Sequence, residues 1–339
     1  MKQKPCIAVV LADWERKEFF PSQERAALEE VSGKLVEAFP TDFADGAAFG
    51  DWLAETGAEI LVSCWMAPKL PEDLAERAPG LRYVCHLAGS VKGIVSEDHL
   101  KAGLLVTNWG NAIARTVAEC GLMLAIAALR RVSHWTVQMH FHGGWKERTN
   151  TGTGSLFERR VGLHGFGAIA RELAQLLRPF NVEVSTYSPS VPDSLLKEFG
   201  VERMDSLEDL FSKNDVLIEL AALTPKNRGI VTEELLRSIP EGGVFVNIGR
   251  GAVVDEAALA RVARDGGIQV ALDVYGTEPL PEDSEFRGMT NVLLLPHLGG
   301  PTVDRRRDAT RFGIANIQRY LRDEELEGLI TAEVYQRST

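Results

Sequence analysis

The chain has 339 residues, 45% hydrophobic and 25% charged, which is enough for two packed domains of about 100–200 residues each. Lys and Arg number 37 against 48 Asp and Glu, a formal net charge of −11 that disfavours nucleic acid and anionic membranes as partners. Four cysteines (Cys6, Cys64, Cys85, Cys120) are widely spaced without a C-x-x-C, so they read as buried thiols of a cytoplasmic protein, with no metal site.

The first residues, Met1 to Cys6, lead straight into an apolar run at 7–11, with no signal-peptide core or small-residue cleavage site. That run reads as a strand. Residues 22–38 follow as a helix with Ser22 placed to cap it. Strands at 60–63, 83–87 and 104–107 alternate with short helices at 72–77 and 96–102. Asn108-Trp109-Gly110-Asn111 is rich in turn formers and marks the end of a first βα domain. A long helix is expected over 116–140; its apolar stretch 120–129 is too short to span a bilayer.

Residues 161–163 read as the end of a buried strand, and Gly165-Phe166-Gly167-Ala168-Ile169-Ala170 as a G-x-G-x-x-G/A turn into a helix. The first glycine permits the tight turn, the second lets backbone approach a pyrophosphate, and the small third position allows close helix–strand packing. The helix N-terminus favours the anionic phosphates. Strands at 182–186, 216–220, 244–248, 270–273 and 292–295 then build a second sheet, and a helix over 302–321 leads to a tail carrying Ile330 and Val334. That tail is expected to return to the first domain. Alternating strands and helices imply α/β architecture with parallel sheets.

Ligands of such sheets sit beyond the carboxyl ends of the strands. Three polar residues stand there: Arg250 in Gly249-Arg250-Gly251, Glu278 after the strand ending in Asp273, and His297 in Leu295-Pro296-His297. Taken singly, each could be a loop arginine, a solvated acid or a structural histidine. Together they suit a 2-oxo acid, whose carboxylate a guanidinium fork can hold and whose carbonyl needs a proton as hydride arrives.

The sequence resembles the D-isomer-specific 2-hydroxyacid dehydrogenase family. The resemblance lies in the glycine turn with Val161-Gly162-Leu163-His164, in Leu223-Thr224-Pro225-Lys226-Asn227-Arg228-Gly229, in Val246-Asn247-Ile248-Gly249-Arg250-Gly251, in Asp273-Val274-Tyr275-Gly276-Thr277-Glu278-Pro279-Leu280, in Pro296-His297-Leu298-Gly299-Gly300 and in Thr116-Val117-Ala118-Glu119. It implies two Rossmann-like or flavodoxin-like doubly wound parallel-sheet domains with a cleft between them: a discontinuous substrate domain, 1–112 with 306–339, and an NAD(P)-binding domain, 113–305.

It also implies interconversion of a small 2-oxo acid and its D-2-hydroxy acid. His297 would be the acid/base, Glu278 would orient its ring, and Arg250 would bind carboxylate and carbonyl. The cofactor, NAD or NADP, would contact Gly165, Phe166, Gly167, Ala168, Ile169, Ser188, Pro189, Ala222, Leu223, Thr224, Asn227, Ile248, Gly249, Arg250, Asp273, His297, Gly299 and Thr116. Asp273 would sit near the nicotinamide. Substrate contacts would come from Trp65, Met66, Ala88, Gly89 and Ser90, together with Arg250 and His297. A homodimer is implied, with the aromatic segment Trp135, Met139, Phe141 and Trp145 as its candidate surface.

Several positions depart from the family pattern. In the loop 88–93, Ala88 and Ser90 replace glycines and Lys92 replaces an acid, which leaves the substrate open. Ser188 stands where NAD-specific members carry an acid for the ribose 2′-hydroxyl, and no Arg follows it directly, so NADP is permitted without being demanded. Leu220 stands where many members have His, and His164 where an aliphatic residue is usual. Glu278 argues against the formate dehydrogenase branch, which pairs its histidine with Gln. A corepressor-like cofactor sensor with little turnover is the alternative of a different class. The extra regulatory domain of the long phosphoglycerate dehydrogenases is not expected here.

Overall fold

The computed structural model describes residues 4–147 and 151–337; Met1–Gln3, where the N-terminal reading begins, lie outside them. The chain divides into two compact units, Met1–Ile113 with Pro301–Thr339, and Ala114–Gly300. Ile113 and residues 301–305 therefore lie with the first unit, whereas the sequence boundaries assign them to the second. The Gly299-Gly300-Pro301 run, which cannot continue regular structure, marks the crossing better than the helix that follows.

The first unit is a sheet of five parallel strands, β1 (Cys6–Val10), β2 (Lys34–Ala38), β3 (Ile60–Ser63), β4 (Tyr83–His86) and β5 (Leu105–Thr107), in the order β2-β1-β3-β4-β5. β3 and β4 are buried along their whole length, which is why they read as unbroken apolar runs. Their two faces feed separate cores, one around Phe49, Leu61 and Val84, the other around Phe19, Tyr83 and Ile317.

The expected helix over 22–38 is two elements. A helix covers Ser22–Val31 with Pro21, not Ser22, at its cap, and β2 follows as an edge strand. Gly33 makes the join, because a Cβ there would lie 2.4 Å from the Lys4 carbonyl oxygen. The helix Gly46–Thr56 was not foreseen; Asp45 caps it by accepting the Ala48 N–H at 2.9 Å. The tail returns to this sheet. Leu329 bridges Thr107 antiparallel, the Ile330 N–H donates to Val106 at 2.8 Å, and Tyr335 donates to the Val95 carbonyl at 3.0 Å.

The second unit carries β6 (Arg160–His164), β7 (Glu183–Tyr187), β8 (Glu202–Arg203), β9 (Val216–Glu219), β10 (Val244–Asn247), β11 (Gln269–Leu272) and β12 (Val292–Leu294). All are parallel, in the order β12-β11-β10-β9-β6-β7-β8. The direction of winding reverses between β6 and β9, the switch point at which such sheets bind dinucleotides. The helix expected over 116–140 is broken into Ala114–Leu129 and Val132–Phe141 by Arg131, whose φ of +51° turns the backbone. The hydrophobic pattern runs on through this break, so periodicity alone cannot register it. Among the described residues no helix is long and apolar enough to cross a membrane. Cys64 and Cys85 are buried, whereas Cys6 and Cys120 are only partly so; all four are free thiols.

His86 ends β4 at 2% exposure, with Nδ1 3.0 Å from the Ser63 hydroxyl. Burial pushes its pKa down from 6.5 to about 4, against a hydrogen bond with the Ser90 backbone that opposes the shift. Between these values the unfolded chain takes up a proton that the folded chain refuses, so stability rises with pH across that window. The contribution is about 3 kcal/mol at most, from 1.36 kcal/mol per pKa unit. Denaturation midpoints of the wild type and His86→Gln should therefore converge as the pH falls from 7 towards 4. A gap that stays constant would exclude this account of His86.

Candidate active site

The sheet of the second unit presents its loops in order along the carboxyl edge. Gly165 sits at φ +88°, and a Cβ there would lie 3.1 Å from the Ala221 Cα, so both conformation and crowding require glycine. Gly167 caps the helix Ala168–Leu177 in extended conformation, and a Cβ there would meet no protein atom within 4 Å. The fold thus leaves free space at the N-terminus of that helix, the kind of place that favours an anion. Ala170 is 1% exposed, packed as the third small position requires. Phe166 is buried edge-on against Phe199, while Ala168 and Ile169 open the helix.

The loops on either side are shaped by hydrogen bonds within the protein. Ser188 follows β7 as a buried residue, with Pro189 exposed beside it. Asn227 accepts the Thr224 N–H at 2.6 Å and donates to the Ala222 carbonyl at 2.7 Å, which holds the loop that carries Leu223. Ile248 is buried, and a Cβ on Gly121, in the helix that carries Thr116, would lie 2.6 Å from its Cδ1. Gly249 donates to Asn247 Oδ1 at 3.1 Å and Asn247 donates to the Arg250 carbonyl at 3.2 Å, so one buried amide sets the turn that presents Arg250. Arg250 is an exposed residue, and its Nη1 donates to the Gly249 carbonyl at 2.7 Å. Neighbouring protein pushes its pKa down and the Glu278 carboxylate opposes that shift.

Asp273 is 1% exposed at the end of β11. Its Oδ1 accepts the Leu298 N–H at 2.6 Å and its Oδ2 the Gly299 N–H at 2.8 Å. Burial raises its pKa, and these two N–H groups oppose the rise. The turn they hold puts His297 at φ +55°, a region that residues other than glycine rarely occupy. A Cβ on Gly299 would fall 2.7 Å from Asp273 Oδ2, so the clamp also requires glycine. Held this way, His297 Nδ1 lies 2.6 Å from Glu278 Oε2, and Glu278 Oε1 accepts the Tyr275 N–H at 3.0 Å. The carboxylate is thereby anchored at one oxygen and oriented at the other. A groove of about 640 Å³, flanked by Tyr275, Leu280, Arg287 and Leu294, opens beside the pair.

In the first unit, Trp65 and Met66 are 42% and 52% exposed after β3, and Trp65 stacks on Trp14 at 5.9 Å. Gly89 and Ser90 follow β4; Gly89 lies against the Trp109 ring, where a Cβ would come within 2.7 Å. Ala88 is fully buried in the core, so only its backbone can face a ligand.

Residues 122–299 match the family model for the D-isomer specific 2-hydroxyacid dehydrogenase NAD binding domain. The chain belongs to this family. It is 30% identical over 269 residues to the glyoxylate reductase of Aeropyrum pernix, covering 77% of this chain and 80% of that one. It is 28% identical over 263 residues to the D-3-phosphoglycerate dehydrogenase of Methanocaldococcus jannaschii, 77% of this chain but only 50% of that enzyme, so it spans half the length of that relative. The fold alone is shared with apo D-mandelate dehydrogenase of Rhodotorula graminis, TM-score 0.82 at 20% identity, over 97% and 98% of the two chains. The matched family model is that of an NAD binding domain. Among the described residues no group of three or more His, Cys, Asp and Glu side chains is arranged to hold a metal ion.

Two features of this dehydrogenase edge were missed in the sequence. His164, without a role there, has its Nδ1 2.5 Å from Glu219 Oε2, and Glu219 Oε1 accepts the Ala221 N–H at 2.8 Å. Both side chains are buried. The available signal was a lone acid closing the apolar run Val216-Leu217-Ile218. The second is Arg203 in β8, whose guanidinium Nη1 donates to the Ser188 carbonyl at 3.1 Å from fifteen residues away.

Asp273→Asn places an NH₂ group against one of two buried N–H donors and leaves it without an acceptor, a cost of about 1–3 kcal/mol. The turn at His297 should loosen, with folding retained. Crystals of the variant should show His297 displaced from Glu278; an unchanged 2.6 Å contact would show that the clamp does not position the histidine.

Proposed function

We propose that the chain is an NAD(P)-dependent reductase of small 2-oxo acids, forming the D-2-hydroxy acid and able to run in reverse. The supporting observation is the bond of Glu278 to His297 on a turn clamped by Asp273, in the unit that carries the dinucleotide fingerprint. When bound, the reduced nicotinamide supplies the hydride. In this reading His297 keeps its Nδ1 proton directed at Glu278, so Nε2 is the nitrogen that delivers a proton to the carbonyl oxygen. Glu278 balances the imidazolium charge, with Tyr275 holding the carboxylate in place. Arg250 binds the substrate carboxylate and polarises the carbonyl. The same reading assigns substrate contacts to Trp65, Met66, Gly89 and Ser90.

Loss of NADH or NADPH absorbance with glyoxylate, hydroxypyruvate, pyruvate and bulkier 2-oxo acids tests the proposal directly. His297→Ala should lower kcat by about 10²–10⁴-fold, the usual worth of a general acid, while the variant still binds reduced cofactor. Turnover retained in that variant would remove His297 from the role. Cofactor binding with no turnover on any acid would favour a sensing protein instead.

We also propose a homodimer built on the second unit. Its helix Val132–Phe141 and the segment after it expose Met139 at 49%, Phe141 at 77% and Trp145 at 73%. Apolar groups so exposed are costly in a monomer and mark an association surface. Sedimentation should give a dimer for the wild type and a monomer for Phe141→Ser combined with Trp145→Ser; a monomeric wild type removes the proposal.

A further inference from the structure

The edge of the second unit carries an unassigned cation at the place where NAD and NADP differ. In sheets of this kind an acid after the second strand of the fingerprint binds the ribose 2′-hydroxyl, and a nearby Arg accommodates a 2′-phosphate. Here β7 ends at Tyr187 and is followed by Ser188, which is neutral and buried. The position directly after β7, where the acid would stand, is therefore neutral. Arg203 reaches the same turn from the neighbouring strand, where it pairs with Thr186 in register, near the carboxyl end of β7.

Its guanidinium closes the turn 188–191. Nη1 donates to the Ser188 carbonyl at 3.1 Å, Nη2 donates to the Val191 carbonyl, and Nε donates to Asp193 Oδ1 at 2.6 Å. A guanidinium carries five N–H groups, so one on each terminal nitrogen is left after these three bonds. The side chain is 29% exposed, so protein covers the guanidinium only in part. The counter-charge, Asp193, is 73% exposed and carries little of its ion pair's energy in water. A ribose held beside Ser188 would therefore bring its 2′ position to this cation, with a neutral residue in the place of the family's acid and Asp193 sharing the guanidinium.

We propose that Arg203 selects NADP(H) over NAD(H) in this protein by taking the 2′-phosphate at the turn 188–191. The proposal rests on the reading that the Gly165 turn holds a nicotinamide dinucleotide; it does not depend on which 2-oxo acid is reduced, or on reduction at all. Ser188 contributes by being small and uncharged, and Asp193 tempers the preference by competing for the same guanidinium.

Isothermal titration of the full chain with NADPH and with NADH, in the absence of any oxo acid, tests this apart from catalysis. The wild type should bind NADPH at least about tenfold tighter than NADH, the worth of one charge-assisted hydrogen-bonded contact. Arg203→Gln should remove most of that difference and leave NADH affinity within about threefold, while Asp193→Asn should tighten NADPH and leave NADH unchanged. A wild type that prefers NADH, or binds the two alike, overturns the proposal. So does a parallel loss of both cofactors in Arg203→Gln with an unaltered ratio in Asp193→Asn, because Arg203 would then only support the turn. If Arg203→Gln does not fold, the ratio in Asp193→Asn decides: a selective gain for NADPH sustains the assignment and no gain overturns it. Failure to bind either cofactor would instead defeat the underlying reading.

Discussion

The buried carboxylate of Asp273 is the constraint on which the site depends. An isolated carboxylate away from water is costly, and burial does push this one towards its neutral form. What keeps it useful is that each oxygen receives a backbone N–H, from Leu298 and Gly299. The bonds act in both directions. They offset part of the desolvation, and they force the chain to turn immediately after β12, at His297. That turn is strained, since a histidine at φ +55° is held in a region costing of order 1–3 kcal/mol. The strain persists because Asp273, Gly299 and the Glu278 contact over-determine the same conformation.

Rigidity elsewhere is arranged the same way. At the ends of β9 and β10 polar side chains are spent on backbone N–H or carbonyl groups of the following loop: Asn247 closing β10, Glu219 closing β9 and Asn227 beyond β9. These groups touch no ligand in the bonds they make. They set the places from which Arg250 and the glycine turn face outwards, which is how loops on a parallel sheet become precise enough for chemistry. The His164–Glu219 pair belongs to this set: it braces Ala221, the residue against which Gly165 is packed.

How much of this was legible follows from the range of each signal. The glycine turn, Arg250, Glu278 and His297 could be singled out because residue type and position at a strand end are local properties. Both sheets were legible for the same reason, since their central strands are continuous apolar runs. The reading failed where one backbone angle or one distant partner decides. Arg131 breaks a helix that periodicity extends to residue 140. Gly33 separates a helix from the edge strand β2, whose sequence alone does not declare it. The part Asp273 plays in holding the turn at His297 was not legible either, because it depends on N–H groups 25 and 26 residues away. Glu219 lies 55 residues from His164, and Arg203 lies 15 from Ser188, and no spacing rule links either pair.

The charge distribution shows why such local arrangements are needed. The chain is acidic, at −11, yet the dinucleotide and the 2-oxo acid of the proposed reaction are both anions. Long-range repulsion therefore works against binding, although at physiological salt it fades within about 8 Å. Recognition then rests on groups inside that distance. The fold supplies a helix N-terminus with free space at Gly167, and an arginine that stays charged even where its surroundings lower its pKa. It supplies a second arginine behind Ser188. Both arginines donate to carbonyls of their neighbouring loops, so less side-chain freedom has to be lost when an anion arrives. An acidic surface and anionic ligands are thus compatible: the net charge sets how the molecule behaves at a distance, and a few oriented donors decide what it holds.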